Sequence, residues 1–239
     1  MSIHRTVSRL GRALLYLPKT IYINFRCLPA KQAMKLPIVL MGKTKTVGLK
    51  RNMIQINASP RFAMINFGSQ NTSKKGILTG NNTTIYIENG GRIIFNGEAS
   101  IGRGSSLCAS GGTMTIGNKF SCNSNCFLYC QNRISIGEDV LLGWNINIRD
   151  NDGHPLYNNE GVEINPPKPI QLGNHVWIGS YVDILKGVTI QNGTIIATRS
   201  LVTKDNLEPN VIIAGSPARI IKREIYWNHN SSSVELRKD

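Results

Sequence analysis

A chain of 239 residues is long enough to bury one large core or two small ones without disulfides or metal ions. It has five cysteines, an odd number, and its early apolar stretch stops at Pro18 and Lys19. That stretch is too short for an export signal or a membrane-spanning helix. We therefore expect a cytoplasmic protein whose thiols stay reduced.

The net charge of +14 comes from the beginning of the chain. Residues 1–87 contain 14 Lys or Arg and no Asp or Glu, whereas residues 88–239 contain 14 basic and 14 acidic side chains. The basic region lacks interleaved aromatic residues and any recognisable nucleic-acid-binding motif. We therefore expect no nucleic-acid partner.

The first 35 residues are predicted to be partly helical, with breaks at Pro18 and Pro29. Basic and apolar side chains fall on different faces of such a helix: Arg5, Arg9 and Arg12 on one, and Val7, Leu10, Leu14, Leu17 and Ile21 on another. This segment suits peripheral contact with an anionic membrane or a lipid-linked glycan, at the inner face of the membrane. It equally suits a solvated helix that covers the end of the fold that follows.

A six-residue period dominates the rest of the sequence. After residues 36–67, where short Val/Ile runs predict irregular strands, apolar residues recur in phase in three blocks between Phe95 and Ile148. The period is strictest at Leu172, Ile178, Ile184, Ile190, Ile196 and Val202. A helix requires apolar recurrence at three and four residues and a half-buried strand at two. A period of six therefore predicts short strands and tight corners wound into a solenoid.

Two motifs accompany the period: His175-Val176-Trp177-Ile178-Gly179 and the tail Ala214-Gly215-Ser216-Pro217-Ala218-Arg219-Ile220-Ile221-Lys222. Together with the aliphatic-Gly-x-x-small-x pattern, they resemble the hexapeptide-repeat acyltransferases, and within that family the maltose, nodulation-factor and surface-polysaccharide O-acetyltransferases. The resemblance implies a mainly β fold, a left-handed parallel β-helix, which assembles as a homotrimer and uses acetyl-CoA as co-substrate. We expect a basic extension at 1–84, the β-helix at 85–216, and a short C-terminal helix and tail at 217–239.

One interruption of the period is longer than the others. Residues 149–171 form a polar loop, and polar loops on rigid scaffolds are favoured places for chemistry. Acetylation of a hydroxyl requires a base, and imidazole titrates near neutral pH. In the family a loop His followed by Pro has this role. Because His154-Pro155 matches that pattern, the resemblance identifies His154 as the general base.

Three further residues are candidates for the catalytic site. Asp152 and Glu163, like Asp150 and Glu160, are loop carboxylates that can orient the imidazole or bind sugar hydroxyls, or else remain solvated. Glu163 matches a glutamate of maltose-type enzymes, and Asp152 is more like the polysaccharide-modifying branch. Asn125 matches the family's active-site asparagine, whose amide can donate to developing negative charge. A structural asparagine at a β-helix corner is the alternative.

The resemblance also assigns the donor site. Acetyl-CoA is long and rich in phosphate, so its groove requires backbone donors and cations. By family position the contacts are Ser180, Thr198, Thr203, Lys204, Arg219 and Lys222, with Lys204 and Arg219 as phosphate partners. No metal is expected, because the spacing of Cys122, Cys126 and Cys130 is not that of a zinc site.

The leading interpretation is an acetyl-CoA-dependent O-acetyltransferase that acts on a sugar hydroxyl in surface-polysaccharide biosynthesis. An N-acetyltransferase of an amino-sugar or a small-molecule amine uses the same base and donor and stays open. A metal-dependent β-helix needs several histidines at one site. Of the four here, only His154 and His175 lie in the repeats, and His175 is expected to face solvent. A non-catalytic scaffold is disfavoured by the polar loop.

Overall fold

The computed structural model describes residues 14–69 and 82–229. Helix α1 (Leu17–Cys27) carries Pro18 in its first turn, where a proline is tolerated, and Pro29 precedes the short helix α2 (Ala30–Ala33). In those two ranges no helix is long and apolar enough to cross a bilayer. The predicted face of Arg5, Arg9 and Arg12 lies outside the described residues.

The described strands form three sheets, and successive strands enter the sheets in rotation. The first sheet contains β1 (Ile38–Leu40), β4 (Ile65–Ser69), β7 (Ala99–Gly102), β10 (Phe120–Cys122), β13 (Leu141–Leu142), β16 (Trp177–Ile178), β19 (Ile195–Ile196), β21 (Ile212–Gly215) and β22 (Ala218–Lys222). The second contains β2 (Thr44–Val47), β5 (Thr83–Glu88), β8 (Ser106–Ser110), β11 (Phe127–Cys130), β14 (Asn147–Arg149), β17 (Asp183–Ile184) and β20 (Leu201–Val202). The third contains β3 (Ile54–Ile56), β6 (Arg92–Phe95), β9 (Thr113–Ile116), β12 (Arg133–Ile136), β15 (Ile170–Leu172) and β18 (Thr189–Ile190). Apart from β22, the pairing is parallel, which is consistent with a left-handed β-helix and confirms the predicted mainly β fold.

The six-residue period marks the inward side of the coils. Its six strictest positions, from Leu172 to Val202, are each at most 2% exposed. Ile195 pairs with Trp177, 18 residues earlier, so three steps of six complete one turn. Each coil therefore buries its inward residues against those of the next coil.

Parallel pairing begins earlier than expected. Ile38 pairs with Ile65, and Thr44 pairs with Thr83, so the first coil lies upstream of the boundary at residue 85. The period is hidden here because these partners are 27 and 39 residues apart instead of 18, and the extra residues lie in the connections between strands. The division of the chain into domains stays a prediction.

The short C-terminal helix predicted within 217–239 is wrong. Ala218–Lys222 instead form β22, which runs antiparallel to β21. The β-branched Ile220 and Ile221 favour a strand, and pairing satisfies the backbone groups that β21 would otherwise leave at the sheet edge. Residues 230–239 lie outside the described part of the chain.

Stacked turns join the three sheets. We call the turns from the first sheet to the second the first corner, those from the second to the third the second corner, and those from the third back to the first the third corner. Left-handed backbone conformation recurs at the first corner, with φ between +56° and +63°, at Asn125, Asn145, Tyr181 and Arg199. These stacked turns fix where each functional candidate leaves the solenoid.

Candidate active site

The polar loop 149–171 leaves the solenoid at the second corner, where Asp150 anchors its base. Asp150 is fully buried. Its two carboxylate oxygens accept hydrogen bonds from the backbone N–H groups of Gln131 and Asn132, each at 2.8 Å. Because these donors belong to the preceding coil, the loop starts from a fixed point. Asp150 is thus a structural anchor and is not exposed to a sugar.

Beyond this anchor the loop folds back on itself as a hairpin. Tyr157 and Glu163 form an antiparallel bridge within it. His154 lies at the neck of the hairpin, where its carbonyl oxygen accepts a hydrogen bond from the side-chain amide of Asn165 at 3.0 Å. Since the His154 side chain is exposed, the imidazole is presented to solvent from a closed neck.

Asp152 and Lys186 tie the hairpin to the solenoid. Asp152 Oδ2 accepts hydrogen bonds from the Lys186 ammonium at 2.5 Å and from the Asn165 amide at 2.9 Å. The same ammonium donates to the Asn165 carbonyl oxygen at 2.7 Å. The hydrogen bond from Lys186 is the largest influence on Asp152 and lowers its pKa, so this carboxylate is ionised at neutral pH.

Sequence reasoning missed Lys186 and Asn165. The Lys186 side chain is only 16% exposed, although it carries a charge. It stands at the second corner of the coil that follows the loop, just before Gly187. Only the stacking of coils places that position beside Asp152, so an alignment of successive coils is the signal that could have identified it.

Glu163 lies further along the hairpin than His154 and is exposed. Within residues 82–229 no hydrogen bond joins its carboxylate to His154. Asp152 does reach the neck of the hairpin, but it contacts Lys186 and Asn165 and not the imidazole. The catalytic roles of Glu163 and Asp152 stay predictions.

Asn125 lies at the first corner, within a stack of corner residues. Its backbone N–H donates to the Arg103 carbonyl oxygen at 3.1 Å, and its side-chain nitrogen lies 3.3 Å from Asn145 Oδ1. The strands of the second sheet run from the first corner to the second. One chain therefore holds Asn125 and His154 at opposite edges of that sheet.

Two of the predicted donor-binding residues share the first corner with Asn125. Ser180 accepts a hydrogen bond from the backbone N–H of Trp144 at 3.2 Å, and Thr198 occupies the equivalent place in the next coil. A Cβ on Gly179 would lie 2.7 Å from the Thr198 nitrogen, so the two coils make close backbone contact at this corner.

The other predicted donor-binding residues lie elsewhere. Thr203 and Lys204 are exposed at the second corner, one coil beyond Lys186, and Arg219 and Lys222 are exposed on β22. Within the described residues none of the cations Lys204, Arg219 and Lys222 forms an ion pair. Their charges are therefore available to an anionic ligand.

His175 is not simply solvated, as the sequence had led us to expect. Its Nδ1 lies 2.6 Å from Asp139 Oδ2 and its Nε2 lies 3.0 Å from the Trp227 carbonyl oxygen, and its ring stacks on Trp227 at 4.1 Å. A carboxylate and a carbonyl only accept hydrogen bonds, so His175 satisfies both as an imidazolium. Burial raises the pKa of Asp139, but hydrogen bonds from His175 and His229 lower it below its ordinary value.

This cluster fastens residues 223–229 to the third corner, so His175 has a structural role. Among the described residues no group of His, Cys, Asp or Glu side chains could hold a metal ion.

Comparison with known proteins places this architecture in a family. Residues 169–204 match the model of the bacterial transferase hexapeptide, six repeats. The chain is 35% identical over 166 residues to the polysialic acid O-acetyltransferase of Neisseria meningitidis, a match that covers 63% of this chain and 77% of that protein. The chain belongs to the hexapeptide-repeat acetyltransferase family.

Other family members are similar over different shares of their length. The galactoside O-acetyltransferase of Escherichia coli K12 is 38% identical over 117 residues, which cover 47% of this chain and only 55% of that protein. The chain therefore spans about half of that relative. The crystal structure of the polySia specific acetyltransferase NeuO matches with a TM-score of 0.50 and 25% identity, over 84% of this chain and 82% of that one. The predicted family is confirmed.

Proposed function

We propose that this protein is an acetyl-CoA-dependent O-acetyltransferase that modifies a sugar hydroxyl of a surface polysaccharide or its precursor. The observation that carries the proposal is the exposed His154, which lies at the neck of a hairpin fixed to the solenoid by Asp150, Asp152 and Lys186. Relatives named for the O-acetylation of polysialic acid and galactosides support a glycan acceptor.

In the proposed reaction His154 removes the proton of the acceptor hydroxyl while that oxygen attacks the thioester carbonyl carbon. As the C–S bond breaks, the imidazolium returns the proton to the sulfur, so the products are an acetyl ester and the free thiol of CoA. Asp152 acts as a positioning residue, because it holds the hairpin through Lys186 and Asn165. The amide of Asn125 donates to the negative charge that develops on the carbonyl oxygen.

The chemistry of the last coils suits acetyl-CoA, which supplies the activated acetyl group. Lys204, Arg219 and Lys222 are exposed cations outside every described ion pair, as phosphate binding requires. With them we propose three residues that carry hydroxyl groups: Ser180, Thr198 and Thr203.

We also propose a homotrimer. A single chain holds Asn125 and His154 at opposite edges of the second sheet. In a cyclic assembly the second corner of one subunit can face the first corner of the next, so that each crevice receives one residue of each kind.

The substitution His154→Ala tests the reaction. Removal of a general base lowers the turnover number by about 100-fold or more, measured as thiol release from acetyl-CoA with a panel of sugar and amine acceptors. Glu160→Gln, which changes an exposed charge on the same hairpin, is the matched control and should turn over normally. Near-normal turnover by His154→Ala would contradict the assignment, and transfer to amines alone would favour N-acetylation.

Mixed assemblies test the shared site. Co-expressed His154→Ala and Asn125→Gly subunits should recover about one quarter of the wild-type activity, since a quarter of randomly assembled crevices contain both intact residues. Glycine is chosen because residue 125 has a φ of +63°. If both residues of a site come from one subunit, the mixture stays as inactive as its components.

A further inference from the structure

Helix α1 has an inner face that fixes its orientation on the first coil. Thr20, Ile23, Asn24 and Cys27 are buried there. The Asn24 side chain donates to the Ile38 carbonyl oxygen at 2.7 Å and accepts from the Ile38 N–H at 3.1 Å. Because both bonds reach β1, the opposite face of the helix must point away from the solenoid.

That outer face is apolar. At about 100° per residue, the side chains opposite the buried set are those of Pro18, Ile21, Tyr22 and Phe25. Ile21 is 42% exposed, Tyr22 55% and Phe25 53%. Leu14 and Leu15, just before the helix, are 65% and 71% exposed. A surface helix normally turns charged side chains to this side, so a continuous apolar face calls for a partner.

The surroundings of this face carry one sign of charge. Residues 14–69 contain nine Lys or Arg and no Asp or Glu. Lys19 and Arg26 border the apolar face, and hydrogen bonds to the carbonyl oxygens of Thr44 and Leu49 hold them in place. Lys31 and Lys35 are exposed beside the C-terminal end of the helix.

We propose that the outer face of α1 docks on the surface of an anionic lipid bilayer. The rings of Tyr22 and Phe25 enter the boundary between head groups and acyl chains, while the neighbouring Lys and Arg residues contact anionic head groups. A second copy of this chain is a poorer occupant, because residues 14–69 offer it no acidic side chain to pair with. The contact is peripheral and does not depend on the proposed reaction.

Cosedimentation of the full chain with vesicles tests this proposal. The wild-type protein should bind equimolar phosphatidylglycerol and phosphatidylcholine vesicles but not phosphatidylcholine alone. The double variant Tyr22→Ser/Phe25→Ser should lower the partition coefficient about tenfold or more, because it removes the inserting rings. Tyr226→Ser removes a ring that is 79% exposed near the other end of the chain, and it should bind as the wild type does.

Equal partition of the wild type and the double variant would overturn the proposal, as would equal binding to both kinds of vesicle. Size-exclusion chromatography of the same proteins separates the second-copy alternative. If the double variant dissociates an oligomer and its vesicle binding is unchanged, the face belongs to another subunit and the membrane proposal fails. Circular dichroism checks that the double variant keeps the fold, as expected for exposed side chains.

Discussion

The coils at 172–206 and the loop at 149–171 are neighbours in sequence, but different forces hold them. In the coils the period residues are buried, and contact between successive turns fixes every strand. In the loop every residue from 152 to 164 is exposed, and a few polar contacts at the base fix its position. Stability and the proposed chemistry therefore depend on separate residues and can be changed separately.

The same substitution in the two regions should show the largest contrast. Ile184→Ala leaves a cavity between coils and should lower the free energy of unfolding by about 2–5 kcal/mol. Ile164→Ala changes a side chain that is 60% exposed in the loop and should alter it by less than about 0.5 kcal/mol. Urea unfolding at one fixed protein concentration measures both. Similar losses in the two variants would mean that the loop is part of the core.

Asp150→Asn should separate the anchor of the loop from the coils. The new amide places a donor where a carboxylate oxygen accepts a backbone N–H, so the free energy of unfolding should fall by about 1–3 kcal/mol. Chymotrypsin should then cut faster after the exposed Tyr157. Asp205→Asn, which alters an exposed carboxylate that accepts from Thr189, is the control. Unchanged cleavage in Asp150→Asn would refute the anchoring role.

Two lysines in adjacent coils distinguish positioning from donor binding. Lys186→Met should lower kcat about tenfold with little change in KM, because it releases the neck of the hairpin. Lys204→Met should instead raise the KM for acetyl-CoA, because it removes a proposed phosphate contact. Steady-state kinetics with acetyl-CoA as the varied substrate distinguishes the two. If both variants change only KM, Lys186 belongs to the donor site.

The tie between Asp152 and Lys186 also predicts a pH dependence. Since the folded pKa of Asp152 is lowered, its contribution is fully present above the ordinary Asp pKa, near 4, and is lost as the pH falls through the lowered value. Carboxyl NMR titration should show a pKa below the ordinary value in the wild type and a return toward it in Lys186→Met. An identical titration in the two proteins would mean that Lys186 does not set this shift.

The sequence predicted what repeats and little of what does not. Ile178 and Ile184 repeat every six residues because every coil solves the same burial problem, so their places could be predicted without coordinates. Ile38 starts the solenoid unannounced, because the first coils are longer than 18 residues and their apolar positions lose phase. The tail was mistaken for a helix because the edge of β21, which β22 covers, exists only in the fold.

At the candidate site the same distinction holds. The family motif identified His154, but Lys186 could not be inferred, because its partner Asp152 is 34 residues earlier and meets it only through coil stacking. His175 was misjudged for a similar reason, since Trp227 reaches it from 52 residues further along the chain.

The antiparallel β22 has a consequence for how these molecules behave at high concentration. A solenoid with a bare final turn offers a template on which another molecule can add its first turn, and the process repeats into a fibre. Because β22 runs against the direction of the strand beneath it, the outermost backbone groups are out of pattern for an incoming parallel strand. The reversal of one short strand thus acts as a stopper against end-to-end polymerisation.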